Sequence, residues 1–350
     1  MIKLGTYLIL VFFTVSIVTG QDVIILKSQH VDLFSTVDDG PYVFIENDEL
    51  IEKRIIKGEI HEKTLTNNAY DTIFTPDEAV FKNVKKIVAL SDIHGQYDLA
   101  IEIFQKNKII DNNLNWKFGE GHLVIVGDVF DRGDKVTELL WFIFKLEQQA
   151  QKVGGRVHFL LGNHEYMVLH NDVRYIHKKY RITSRIFNFG YGELYSKNTI
   201  LGRWLRSKST VIKINNNVFV HGGVSQEFLS QTDFEFETIN NVMRRSIDIS
   251  KEEMKSTDFY SIYHGSESLI WYRGYFYDNL LDEDVSDILK QLNSDHIVVG
   301  HCSNKEVIQL YDNKIFGVDS SMKLGEYGEI LFIDENEYYR RTLSGKKKRF

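Results

Sequence analysis

Five times between Lys85 and Cys302 a short apolar run ends abruptly in a residue able to bind a metal: "KKIVALSDIH", "HLVIVGDVFD", "VHFLLGNHE", "NVFVHGG" and "HIVVGHC". Those ends carry Asp92, His94, Asp128, Asn163, His221 and His301, a set rich in oxygen and imidazole and empty of thiolate. Asp92 and His94 lie two apart in a segment read as extended, so both side chains can point the same way. Carboxylates gathered at a strand end repel one another and lose hydration, which disfavours the cluster unless a cation neutralises it. A single catalytic zinc takes about three protein ligands. Six ligands suit two divalent ions sharing one carboxylate, and Asp128 is the natural bridge. Oxygen and nitrogen donors of this kind favour manganese, iron or zinc over calcium.

The elements that must position these residues follow from the runs themselves. Apolar stretches of this length, without alternation, suit strands buried on both faces. Helical patterns lie between several of them, among them "DLAIEIFQK" and "KVTELLWFIFKLEQQA". The fold class is therefore α/β, a sheet covered by helices on both sides, with its chemistry in loops beyond the carboxyl ends of strands. Residues 22–83 read as short strands and turns, with a turn signal at Asp39-Gly40-Pro41. The expected organisation is a signal peptide at 1–20, a small β extension at 21–83, a catalytic domain at 84–335 and a basic tail at 336–350. That tail ends in "GKKKRF" and reads as solvated. The basic, aromatic stretch from Tyr166 to Lys213 reads as amphipathic helices with Trp204 and Leu205 inward. Arg203 and Arg206 would then add positive potential near a cleft.

With 350 residues, 43% of them hydrophobic, the chain can fill a sizeable core. Its net charge of -7 gives no general attraction to nucleic acid or anionic lipid. The lone cysteine, Cys302, rules out an intrachain disulfide. An apolar run from Leu4 to Val18 follows Lys3 and leads to Gly20, the pattern of a cleavable secretory signal. The mature protein is expected to be exported, periplasmic or secreted, with no stable membrane insertion. No Asn-x-Ser/Thr acceptor occurs, which suits a bacterial envelope.

"SDIHG" (91–95), "GDVFDRG" (127–133), "GNHE" (162–165), "HGG" (221–223) and "GH" (300–301) together resemble, in order, the signature blocks of the calcineurin-like metallophosphoesterases. The complete "GDxxDRG" and "GNHE" forms resemble the phosphoprotein phosphatase branch, and "DGPYVF" (39–44) with "LIWYRG" (269–274) resembles the Shewanella-like phosphatases. Ser91 stands where many such relatives have glycine. The resemblance implies a four-layer α/β/β/α sandwich. It implies that Asp92, His94 and Asp128 hold one metal, and that Asp128, Asn163, His221 and His301 hold the other. Two such cations can activate a bridging hydroxide for direct in-line attack on phosphorus, with no phosphoenzyme.

By the same resemblance His164 is the general acid for the departing oxygen, and Asp131 can hold its other ring nitrogen. Arg132 offers a planar fork to the phosphate, and Arg273 is the candidate for a second. Asp134 is expected to cap the helix that follows it. A cysteine-phosphatase reading of Cys302 fails, because no arginine closes a phosphate loop just beyond it. The implied function is a phosphatase acting on phosphorylated proteins or peptides at serine, threonine or tyrosine. Two alternatives remain open: a hydrolase of dinucleoside polyphosphates, and a catalytically dead module that binds phospho-ligands.

Overall fold

The computed structural model describes residues 37–76 and 78–350. The expected signal peptide lies outside the described residues. Among those residues, no helix is long and apolar enough to cross a membrane.

The five apolar runs are strands: Lys86–Leu90, His122–Ile125, Arg156–Phe159, Asn217–Val220 and His296–Val299. The first three pair in parallel within one six-stranded sheet, which Glu329–Asp334, Glu337–Thr342 and Lys347–Lys348 extend antiparallel. The other two pair in parallel within a second six-stranded sheet, together with Ile315–Gly317, Ile308–Leu310, Val211–Ile214 and Val80–Phe81. Alternate residues explain the unbroken apolar pattern. Ile87, Ala89 and Val124 meet Ile212, Phe219, Val298 and Phe316 of the other sheet in a core between the two. Val88, Leu90, Leu123 and Ile125 belong instead to the core shared with the helices, which includes Ile103, Leu139 and Ile143. Each buried valine, leucine, isoleucine or phenylalanine among them stabilises the fold by about 1.5–3 kcal/mol, and the outcome is the expected pair of sheets flanked by helices.

Two readings of the flanks need correction. Asp39-Gly40-Pro41 is no turn between elements; it opens the strand Asp39–Glu46, whose register shifts between Asp39 and Tyr42. Such an irregularity accommodates the proline's missing donor. This strand joins Glu49–Ile56 and Glu59–Leu65 in a separate three-stranded antiparallel sheet. The buried Asp39 fastens that sheet to the helix Lys178–Phe187: its Oδ2 accepts from Tyr42 Oη (2.8 Å) and Thr183 Oγ1 (2.7 Å).

Asp134 does not cap the next helix, which begins at Val136. The hydroxyl of Tyr180 accepts from the N–H groups of Val136 (2.6 Å) and Thr137 (3.2 Å) instead, a cap supplied across the fold. The basic tail is exposed as expected, with Lys346, Lys347, Arg349 and Phe350 all open to solvent, but it is also ordered. Lys347–Lys348 forms an edge strand, and Lys347 Nζ lies 3.6 Å from the ring centroid of Tyr339, which stacks on Phe332. Lysine on an exposed edge discourages further strand pairing.

A buried histidine pair gives the fold a pH dependence. His158 Nε2 and His122 Nδ1 share a hydrogen bond (2.9 Å) against the ring of Phe81. Burial holds His122 down at about 4 and, with His122 beside it, keeps His158 well below the usual range. The unfolded chain takes up these protons near pH 6.5. Stability present above that pH is therefore lost as the pH falls from about 6.5 toward 4. Urea midpoints measured across this window should decline, and His122→Gln should flatten the decline.

Candidate active site

Five of the sheet strands deliver the candidate residues from their carboxyl ends. Asp92 and His94 follow Lys86–Leu90; Asp128, Asp131 and Arg132 follow His122–Ile125; Asn163 and His164 follow Arg156–Phe159; His221 and His301 follow the two strands of the second sheet. They converge on a cavity of about 170 Å³ whose walls include Asp92, His94, Asp128, Asn163, His164 and His301, with Arg132 and Arg273 at its rim. Asp131 and His221 stand directly behind these walls. A larger groove, about 1180 Å³, lies elsewhere, beside Lys213 and Tyr338. Several of its asparagines serve turns: Asn83, Asn215 and Asn293 adopt left-handed φ, and Asn215 bonds both backbone groups of Val84.

The backbone at the cavity is strained. Asp92, His94, Asp128, Asp131, Arg132 and His301 all have φ between 48° and 72°, which costs a non-glycine residue about 1–2 kcal/mol. Asp92 and His94 are thus not extended. They face the same space because the chain turns sharply after Leu90, leaving His94 Nε2 3.7 Å from Asp92 Oδ1. The two loops hold each other in this shape: the N–H groups of Asp92, His94 and Gly95 donate to the carbonyls of Gly127, Asp128 and Val129. Glycine is required where the loops touch. A Cβ on Gly127 would come within 2.6 Å of His221 Nδ1, and one on Gly162 would strike Asp128 Oδ1.

Glu165, to which sequence reasoning gave no role, organises the second and third loops. Its carboxylate accepts from the N–H groups of Asp128 (2.9 Å), Val129 (2.7 Å), Phe130 (3.1 Å) and Gly162 (2.7 Å). Burial and nearby Asp128 push its pKa up to about 7 against the pull of these donors. All four contacts come from N–H groups, so the geometry holds it as an acceptor. The signal was present in "GNHE": a glutamate three residues after a helix N-cap commonly reaches back to the cap's N–H.

Asp128 Oδ2 is the centre of the cluster. His221 Nε2 lies 3.2 Å away, His94 Nε2 3.7 Å and His164 Nε2 3.8 Å. His94 Nδ1 donates to the Phe130 carbonyl (2.6 Å) and His221 Nδ1 to the Val126 carbonyl (2.7 Å). A carbonyl only accepts, so both rings turn Nε2 toward the cavity, the arrangement that metal-binding histidines show. His221 Nε2 also lies 2.9 Å from Asn163 Oδ1. Asp92 keeps Oδ1 toward the site while its Oδ2 accepts from Ser91 Oγ (2.6 Å) and the His301 N–H (2.9 Å).

The donor set fits divalent cations. Two groups have ligand atoms all within 4.8 Å of one another: His94, Asp128 and His164, and Asp128, His221 and His301. Asp128 belongs to both. His301 Nε2 is buried without a hydrogen-bond partner, a costly arrangement that coordination would relieve. The electrostatics agree. Burial opposes a charged His221, yet Asp128 and then Asp92 outweigh it and lift the imidazole to about 10. Burial likewise opposes ionised Asp92, but His94 and His221 help bring it down to about 2. Charges of this sign, packed this closely, create the negative potential a cation needs.

His164 sits at the rim of the cluster. Its Nδ1 is 2.5 Å from Asp131 Oδ2, so the imidazole is oriented with Nε2 facing the cavity. Burial works against its charge, but Asp128 and Asp131 together raise its pKa above the usual value. Each arginine is backed by an aromatic ring that sequence reasoning did not place at the site. The Arg132 guanidinium lies 5.5 Å from the ring of Tyr175, whose carbonyl accepts the Arg132 N–H, and that of Arg273 lies 5.7 Å from the ring of Trp271. Tyr175, Trp271 and Lys323 complete the cavity wall.

Other residues with chemical potential are occupied elsewhere. Cys302 is buried, and burial pushes its thiol up to about 12, unsuited to nucleophilic attack. His264 is packed against Tyr166 and His170 and bonded to Ser246 Oγ (3.0 Å). Trp204 and Leu205 are buried as expected. Arg203 instead bonds the carbonyls of Lys197 and Thr72, and Arg206 pairs with Asp248, so neither lines the cavity.

Two mixed sheets between helices, with histidines, carboxylates and an asparagine at the strand ends, define the calcineurin-like phosphoesterases. The model of that family matches residues 85–302, and the chain belongs to it. Within the family it closely resembles the Shewanella-like and cold-active protein phosphatases. The crystal structure of a cold-active protein-tyrosine phosphatase from a psychrophilic Shewanella species is 38% identical, with a TM-score of 0.85, over 89% of this chain and 99% of that one. The Shewanella-like protein phosphatase 1 of Plasmodium berghei is 28% identical over 77% of this chain and 78% of its own. An uncharacterized protein of Schizosaccharomyces pombe is also 28% identical, over 74% of this chain and 80% of its own.

Proposed function

We propose that the protein is a metal-dependent phosphomonoesterase acting on phosphorylated proteins or peptides, phosphotyrosine among them. The observation that carries this reading is the shared position of Asp128, flanked on one side by His94 and on the other by His221 and His301. The donor set suits two divalent ions, of manganese, iron or zinc: Asp92, His94 and Asp128 would hold one, and Asp128, Asn163, His221 and His301 would hold the other. Bound there, they would supply Lewis acidity and lower the pKa of the attacking water.

The chain's own groups do the rest. Arg132 and Arg273 bind the phosphoryl oxygens, each guanidinium steered by its aromatic backing. His164, kept protonated by Asp128 and Asp131, gives its Nε2 proton to the departing ester oxygen. Asp131 fixes the ring that does so. Tyr175 and Trp271 offer apolar surface to an aryl leaving group. This agrees with the likeness to a protein-tyrosine phosphatase.

The test is a panel of phosphotyrosine, phosphoserine and phosphothreonine peptides beside diadenosine tetraphosphate. Rates are measured after chelation and again after reloading with manganese, iron or zinc. Phosphopeptide turnover lost on chelation and restored by an ion is expected. Faster cleavage of the anhydride than of every peptide would assign the site to that chemistry instead. Silence with all ions would leave a binding module. Export is proposed on residues 1–20 alone, and amino-terminal sequencing of protein recovered outside the cytoplasm would check it.

A further inference from the structure

Arg132 and Arg273 account for two cations at the cavity, but a third reaches it. Lys323 lines the same wall, on a short 3₁₀ turn, Met322–Leu324, between Ser321 (φ 62°) and Gly325 (φ 75°), both left-handed. That turn is tied to two of the ligand-bearing loops at once. Gln96 Nε2, just beyond His94, donates to the Lys323 carbonyl (3.1 Å). Lys323 Nζ donates to Ser303 Oγ, two residues past His301.

We infer that Lys323 is a third cationic contact for the phosphoryl group, placed between the Asp92–His94 loop and the His301 loop. The inference rests on the phosphatase reading and names a further residue of that site. An ammonium carries three donors, and Ser303 takes one. Asp319 Oδ2 lies 3.9 Å from Nζ, beyond hydrogen-bond range, and that carboxylate is already served by Ser303 Oγ (2.5 Å) and the Ser321 N–H (2.9 Å). Two donors thus remain for a ligand in the cavity. A phosphoryl group presents three oxygens, and cations from three separate segments would surround it more fully than the arginine pair.

The competing role is structural, as counter-charge to buried Asp319, and the experiment separates the two. Wild type, K323M and K323R, all manganese-loaded, are compared for p-nitrophenyl phosphate kinetics, inhibition by inorganic phosphate, bound metal and melting temperature. A charge-assisted hydrogen bond contributes about 1.5–3 kcal/mol, so K323M should raise KM and the phosphate inhibition constant about 10- to 100-fold, with kcat changing less. K323R should recover most of that loss, while metal content and melting temperature stay at wild-type values. Inhibition by phosphate within twofold of wild type in K323M would overturn the assignment. So would a loss that tracks falling metal content or melting temperature and is rescued by adding D319N. Should K323M fail to fold, K323Q makes the same comparison. A wild-type protein that neither turns over the ester nor is stabilised against melting by phosphate would remove the phosphatase reading, and the lysine's role with it.

Discussion

Asp128→Asn is expected to lower kcat/KM by at least about 10³-fold on every phosphate ester and to reduce bound metal. An amide of the same shape keeps the backbone contacts of its loop but removes the negative charge on which three imidazoles converge. A lost electrostatic anchor in a water-poor site costs a factor of about 10²–10³ by itself. Loss of an ion that polarises the phosphoryl group adds to it. Metal analysis and kinetics on one preparation check both halves. Wild-type metal content with modest kinetic loss would place the bridge elsewhere.

His164→Asn should produce the second large effect, and a selective one. Serine alkoxide leaves poorly without a proton, whereas p-nitrophenolate leaves readily. General acid catalysis contributes about 10²–10⁴-fold, so a phosphoserine peptide should lose on that scale and the aryl ester far less. The pH profile supplies the sign. The pKa of His164 is raised, so the acid form persists below that shifted value and is lost as the pH rises through it. The wild-type rate on the peptide should fall along that alkaline limb, and the limb should be missing in the variant. Equal losses on both substrates would take His164 out of this role.

What the sequence revealed and what it hid divide along physical lines. The five strand ends were legible because a strand buried on both faces is continuously apolar, so the first polar residue marks both its end and the sheet rim. A helix cap supplied by Tyr180 was not legible, since it joins residues far apart in the chain. Expecting the same service from Asp134 was reasonable local chemistry, overridden by tertiary packing. The lysine-rich terminus is solvated as its charge implies, but its edge-strand pairing and the Lys347 ammonium over Tyr339 were hidden, because a charged run carries no strand signal. Asp92 and His94 do face one space, but through left-handed turns that no spacing rule anticipates. Tyr175, Trp271 and Lys323 reach the cavity from outside the five blocks. Only the fold brings them there.

Asp39 shows how far such packing extends. It links the amino-terminal sheet to Thr183, and the same helix supplies Tyr180 and Lys179, which bond the Asp134 carbonyl next to the Asp131–Arg132 loop. The small sheet is thereby coupled to the positions of Asp131 and Arg132.

The most direct measurement is anomalous diffraction at the absorption edges of manganese, iron and zinc from crystals of the metal-loaded protein. Two peaks should flank the Asp128 carboxylate, one beside Asp92 and His94 and the other beside Asn163, His221 and His301. A single peak, or ions bound away from Asp128, would contradict the shared-carboxylate centre.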